Sequence, residues 1–223
     1  MDIKLFFQAI IKFLLGVLII GLLLFIPANT INYWNGWLFM GLLFIPMFIA
    51  GIVMMIKSPE LLKKRLNAKE KENEQKQVLV FSGLMFLVGF ITCGLNYRYS
   101  WIMIPNSVVI ISSVIFIIAY ILYAEVLREN VYLSRIIEVQ ENQKVIDTGL
   151  YGIVRLPMYA VTILLFLSMP LVLGSIISFV IFLVYPFIIA KRIKNEEEVL
   201  EKELEGYSEY KKKVKYKMIP FIW

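Results

Sequence analysis

The sequence predicts an all-α fold: a polytopic membrane helical bundle of about six spans, including a C-terminal helical hairpin, with a cytoplasmic C-terminal helical cap. Three observations predict it. Of 223 residues, 60% are hydrophobic and only 18% charged, where a soluble domain carries about a quarter charged residues. The apolar residues come in runs, without amphipathic periodicity, and the charges come in blocks between the runs. That is the pattern of a lipid-solvated chain. A soluble chain of this length would form a single domain, with nowhere to bury so much apolar surface.

The runs cover 6–26, 37–56, 78–95, 108–126, 159–173 and 175–190. The first four approach the roughly 20 residues that a helix needs to cross a hydrocarbon core. The last two are shorter and are divided by Pro170 and Gly174, which predicts a tight helical hairpin, thin for an ordinary bilayer; a single bent helix is the alternative. The first run has a weak basic flank, Lys4 and Lys12, and no small-residue cleavage site, so a retained first helix is expected.

Basic residues orient the bundle. Seven lie between the second and third runs: Lys57, Lys63, Lys64, Arg65, Lys69, Lys71 and Lys76. Arg128, Arg135, Lys144 and Arg155 follow the fourth, and nine more follow Ala190. The opposite loops are nearly bare, with none over 27–36 and only Arg98 over 96–106. Six spans with both termini in the cytoplasm satisfy this alternation. Trp34, Trp37, Tyr97, Tyr99 and Trp101 fall on the sparse side, as interface anchors should. The net charge of +6 is accounted for by topology and contact with anionic headgroups rather than by nucleic acid. The chain divides into N-terminal transmembrane helices, 1–126, with a charged, helix-favouring connector over 57–77, and a C-terminal region, 127–223. For the connector, a solvated linker is the simplest expectation.

Histidine is absent and the single cysteine, Cys93, lies inside an apolar run. The commonest general base and the commonest metal ligand are therefore missing, no disulfide framework exists, and a buried structural thiol is expected at Cys93.

Two segments can carry chemistry. The first runs from Asp147 through Thr148, Gly149, Leu150, Tyr151, Gly152, Ile153, Val154, Arg155, Leu156, Pro157 and Met158 to Tyr159. Its glycines and Pro157 break helical structure at the edge of the fifth span; Pro157 suits a helix's first turn, and free amides at such an entry can hold a polar ligand. The second is Arg192-Ile193-Lys194-Asn195-Glu196-Glu197-Glu198-Val199-Leu200. Arg192 and Glu196 share a helical face, which alone needs nothing beyond an intrahelical ion pair. Three adjacent glutamates beside anionic headgroups are unusual, and make sense if one meets a cationic ligand.

Taken in order, these segments resemble the isoprenylcysteine carboxyl methyltransferase family, related to the membrane phospholipid methyltransferases. The family pattern approximates T-G-x-Y-x-x-x-R-H-P-x-Y, a hairpin, R-x-x-x-E-E-x-x-L, Y-x-x-Y, basic residues and a final I-P. This chain supplies Thr148, Gly149, Tyr151, Arg155, Pro157 and Tyr159, then Arg192, Glu196, Glu197 and Leu200, then Tyr207, Tyr210, Lys211, Lys212, Lys213, Ile219 and Pro220. The ending resembles one bacterial branch, which implies a bacterial plasma membrane.

The resemblance implies S-adenosyl-L-methionine as methyl donor, bound on the cytoplasmic side, and a lipophilic small-molecule or lipid-linked acceptor arriving from the membrane lipids. Carried over by position, the cofactor would meet Gln143, Lys144, Val145, Ile146, Tyr151, Leu156, Pro157, Met158, Tyr159, Glu196 and Glu197. Glu196 would face the cofactor's cationic amino end, and Arg192 would hold an acceptor carboxylate through paired hydrogen bonds. Such chemistry needs alignment and exclusion of water, not a metal. Three positions depart from the pattern: Leu156 stands for the histidine before proline, Gln143 for an upstream histidine, and Leu150 for a frequent proline. Loss of one neutral imidazole contact costs on the order of 1 kcal/mol. A catalytically degenerate member acting as a membrane binding or accessory protein is the alternative. A transporter is disfavoured because the spans carry almost no ionisable residues.

Overall fold

The computed structural model describes residues 3–66, 73–133 and 139–220. Residues 67–72 of the connector, with Lys69 and Lys71, lie outside the described residues, as does Arg135. The described chain is helical, with one isolated bridge between Met103 and Ser175 in place of any strand. Its elements are α1 (Ile3–Ala28), α2 (Trp34–Lys57), α3 (Pro59–Leu66), α4 (Asn73–Tyr99) and α5 (Asn106–Glu129). A 3-10 turn (Gly149–Gly152) then leads to α6 (Pro157–Val172), α7 (Ile176–Phe182), α8 (Tyr185–Glu203) and α9 (Tyr207–Lys213).

Five stretches are long and apolar enough to cross a membrane: α1, α2, α4 from Lys76 onward, α5, and α7 with α8 over Ile176–Glu203. The sixth, α6, has 16 residues, about 24 Å of helix at 1.5 Å per residue, short of a hydrocarbon core about 30 Å thick. These helices bury only part of their surface against each other. On α1, just Leu5, Leu24 and Ala28 are buried, while Phe7, Ile11, Leu14, Leu18 and Leu22 are exposed. Apolar side chains facing outward along a whole helix belong in lipid. The chain is an integral multi-pass membrane protein.

The hairpin forms as expected. Pro170 lies in the last turns of α6, and Gly174, at φ +80°, turns the chain. The second arm is broken at 183–184 between α7 and α8. Pro186, in the first turn of α8, has no N–H to continue the ladder across that break. From there α8 runs unbroken to Glu203, so the arginine–glutamate segment continues the membrane arm.

The carbonyls that end α6 have no helical partners, and inside a bilayer each must find one. Side chains from the first half of the chain supply them. The Tyr33 hydroxyl donates to the Leu173 carbonyl (2.5 Å), Asn35 Nδ2 to Val172 (3.1 Å) and Asn96 Nδ2 to Gly174 (3.4 Å). All three donors are buried. Asn35→Ala strips one carbonyl of its donor, and is expected to cost about 1–3 kcal/mol. A lowered midpoint of thermal unfolding in detergent checks this; an unchanged midpoint contradicts it.

Small residues let α4 approach the second arm. A β-carbon on Gly89 would lie 2.2 Å from the Phe182 ring, and Ser178 Oγ donates to the Gly89 carbonyl at 2.9 Å. This is the close helix contact that lipid-solvated bundles favour. Cys93, on the same helix, is buried. The predicted anchors gather at the hairpin-turn end: Trp37 Nε1 donates to Ile31, the Tyr97 hydroxyl to Asn32, and Tyr99 stacks on Trp101.

The connector departs from expectation. Rather than a solvated linker, its described part forms α3, which buries Leu61 and Leu62, and the first turn of α4. The Leu66 carbonyl accepts from Lys12 Nζ at 2.6 Å, and the Arg65 guanidinium lies 5.5 Å from the centroid of the Tyr123 ring. Two adjacent buried leucines, with contacts from Lys12 and Tyr123, dock this short charged helix.

Candidate active site

The glycine-rich segment is held from below by the end of α5. Both carboxylate oxygens of Glu129 accept from the Leu150 amide, at 3.2 and 3.0 Å, at the start of the 3-10 turn. Gly149 sits at φ +54°, and a β-carbon there would lie 1.5 Å from the Glu129 carboxylate. Backbone conformation and space both require glycine. The turn fixes Tyr151, whose hydroxyl accepts from Asn130 Nδ2 (3.1 Å) and whose carbonyl accepts from the Tyr210 hydroxyl (2.7 Å).

Arg155 joins the loop to the tail. Its amide donates to the Tyr216 carbonyl (2.9 Å), and the Leu156 amide to Lys217 (2.8 Å). Its guanidinium donates to Glu197 Oε1 from Nε (2.8 Å) and Nη2 (2.6 Å), and from Nη1 to the carbonyls of Val214 and Lys215, both at 2.8 Å. Arg155 and Glu197 are 4% and 5% exposed, so both charges are out of water and depend on each other. Lys217 Nζ meets the second Glu197 oxygen at 2.7 Å.

One residue earlier on α8, Glu196 does something different. It accepts a hydrogen bond from the Tyr159 hydroxyl, which in turn accepts from Arg192 Nε at 3.3 Å. Tyr159 is thus the bridge between the two predicted site residues of α8.

This trio borders a cavity of about 430 Å³, within the range of small-molecule sites. Of the predicted cofactor residues, Gln143, Lys144, Val145, Ile146, Tyr151, Leu156, Met158, Tyr159 and Glu196 line it, and so does Arg192. Pro157 and Glu197 do not line it: Pro157 is the first residue of α6, and the Glu197 carboxylate is turned to Arg155 and Lys217. For Glu197 this corrects the expected ligand contact. A buried carboxylate engaged by two cations holds the cap in place.

Several wall residues were missed from the sequence. Tyr185, Ile189, Arg192 and Glu196 face the cavity along α8 at helical spacing, a periodicity that could have been extended backwards from Arg192. Val78, Ser82 and Phe86 of α4, with Arg65 and Tyr123 at another edge, carry no such signal. The cavity therefore has two chemical ends: a polar one at Tyr159, Arg192 and Glu196, and an apolar one among Phe86, Phe166 and Ile189 between the spans.

Outside the spans, burial raises the phenols of Tyr151, Tyr207 and Tyr210 above their ordinary value, so all three stay protonated at neutral pH. Asp147 shifts the other way: its hydrogen bond with Lys213 (2.6 Å) holds its carboxyl below the ordinary value. A lowered carboxyl stabilises the fold above its unfolded pKa, and that contribution is lost as pH falls through the lowered value. Lys213→Ala is expected to return Asp147 to its ordinary titration. NMR titration of the Asp147 carboxyl checks this, and an unmoved midpoint contradicts it.

Membrane-length helices and a cavity lined by both polar and apolar side chains define an integral membrane protein with a pocket beside its spans. Residues 108–202 match the model of the isoprenylcysteine carboxyl methyltransferase (ICMT) family. The match begins in α5, takes in the 3-10 turn, Arg155, the hairpin and Arg192 to Glu197, and stops before α9. No curated protein matches the chain. The family is one of membrane methyltransferases for lipophilic substrates.

Proposed function

We propose that the protein is an S-adenosylmethionine-dependent methyltransferase whose acceptor is a lipophilic carboxylate or thiol, or a lipid group. The observation that carries this reading is the two-ended cavity. Glu196, bridged through Tyr159 to Arg192, supplies a carboxylate for a cationic ligand. Phe86, Phe166 and Ile189 supply a slot for an apolar chain. Leu79 of α4 lines the cavity while 49% exposed, which offers an entry from the lipid side. The donor set fits the cofactor, which bears an ammonium and a sulfonium and, when bound, supplies a methyl group already activated for in-line attack.

The protein's own contribution is placement. Glu196 holds the amino end, the 143–146 segment and Tyr151 form the wall beside it, and Arg192 orients an acceptor carboxylate where there is one. The cap excludes water, so no metal or imidazole is needed for the transfer. The excess of Lys and Arg at this end supports a cytoplasmic site with both termini on that side of a bacterial plasma membrane.

Purified protein in detergent is expected to bind S-adenosylmethionine saturably by calorimetry. No heat of binding at millimolar cofactor overturns the proposal. Lipid profiling of cells with and without the protein, fed labelled methionine, would then identify the acceptor.

A further inference from the structure

Among the tyrosines that line the cavity, Tyr151, Tyr159 and Tyr210 have hydrogen-bonded hydroxyls: Tyr151 with Asn130, Tyr159 with Glu196 and Arg192, and Tyr210 with the Tyr151 carbonyl. Tyr207 also lines the cavity and is 3% exposed. Its hydroxyl is the one buried side-chain polar atom without a hydrogen-bond partner among the described residues. Buried polar atoms are rarely left so, and phenylalanine would fill the position without the penalty. The hydroxyl therefore calls for a partner that the protein does not itself provide.

The surroundings indicate what that partner is. Tyr207 packs edge-on against Tyr210, with centroids 5.7 Å apart, in a cluster with Leu204, Leu200 and Val145. Leu200, Leu204, Val145 and Tyr210 all line the cavity too. The charges that act on the Tyr207 hydroxyl are already engaged: Arg155 and Glu197 with each other, and Glu196 with Tyr159. A wall of aliphatic and aromatic faces with one buried hydroxyl suits a flat heteroaromatic ring with hydrogen-bonding atoms at its edge. It does not suit an ammonium or a carboxylate.

We infer that Tyr207 is a ligand-binding residue and that the wall formed by Val145, Leu200, Leu204 and Tyr210 receives the nucleobase of the cofactor, its edge hydrogen-bonded by the Tyr207 hydroxyl. This rests on the methyltransferase reading and deepens it. The cofactor lies with its amino end at Glu196 and its base beneath α9, so the cap closes over the nucleoside.

The test is Tyr207→Phe in the full chain in detergent, titrated with S-adenosylmethionine and with 5′-methylthioadenosine, which keeps the nucleoside and lacks the amino-acid end. Both are expected to bind about threefold to tenfold more weakly, as for loss of one neutral hydrogen bond. The ligand-free thermal midpoint should be unchanged or raised, since an unpartnered hydroxyl has been removed. Equal affinity of wild type and variant for both ligands overturns the inference and leaves the methyltransferase reading standing. A loss confined to S-adenosylmethionine overturns the nucleobase assignment, placing Tyr207 at the other end. Wild type that binds neither ligand overturns the methyltransferase reading, and the inference with it.

Discussion

Arg155→Ala should release the cap from the bundle and lower stability by about 3–5 kcal/mol, the usual cost of leaving one member of a buried ion pair unmatched. The guanidinium carries two bonds to Glu197 and one to each of two tail carbonyls, so its removal also strands the Val214 and Lys215 carbonyls. Glu197→Ala should do comparable damage by leaving Arg155 buried and half-matched. The double variant Arg155→Met/Glu197→Leu should regain much of the loss, because well-packed apolar side chains often replace a buried pair without penalty. Lys217, left by that change, is 28% exposed along its side chain and can turn to water. Thermal unfolding in detergent, with limited proteolysis of the tail, measures each variant. A midpoint for Arg155→Ala within a degree of wild type would rule out this role for the pair.

Glu196→Gln should give the opposite result. Its neighbour's removal unfolds the cap, whereas this change should leave stability nearly untouched and weaken cofactor binding. A charge-assisted hydrogen bond contributes about 1.5–3 kcal/mol, so the dissociation constant for S-adenosylmethionine should rise roughly tenfold to a hundredfold. Tyr159 keeps a hydrogen-bonding partner in the amide, which makes the effect one of charge rather than of lost structure. Calorimetric titration of the variant reads this directly. An affinity within twofold of wild type would remove Glu196 from the site.

The contrast between these two glutamates shows what a sequence can and cannot separate. Glu196, Glu197 and Glu198 are consecutive, identical in chemistry and equally placed after a membrane arm. A helix turns about 100° per residue, so the three point into a cavity, into a buried ion pair and into solvent. Which is which depends on where α8 sits against α6 and the tail. No local pattern records that. The same holds for Arg155, visible in its motif but not identifiable as the anchor of the C-terminal strand of chain. The connector was misjudged for a related reason: Leu61 and Leu62 are too few to mark a docked face in so charged a segment.

Fold class, by contrast, was legible throughout. Apolar runs long enough to cross a bilayer must be helical, because backbone polar groups have no other partner in lipid. The positions of Pro170 and Gly174 favoured a hairpin over a single bent helix, and the distribution of lysine and arginine argued for its sidedness. The chain by itself thus determined a membrane bundle, its division at the hairpin, and the two segments that border a cavity, since these follow from hydropathy, backbone geometry and short-range spacing. Only the tertiary structure decided the rest. It separated cavity-lining Glu196 from ion-paired Glu197 and brought α3 and α4 into the cavity wall. It also left the Tyr207 hydroxyl buried without a partner. Each of these depends on contacts between residues far apart in the chain, made when the cap closes on the bundle.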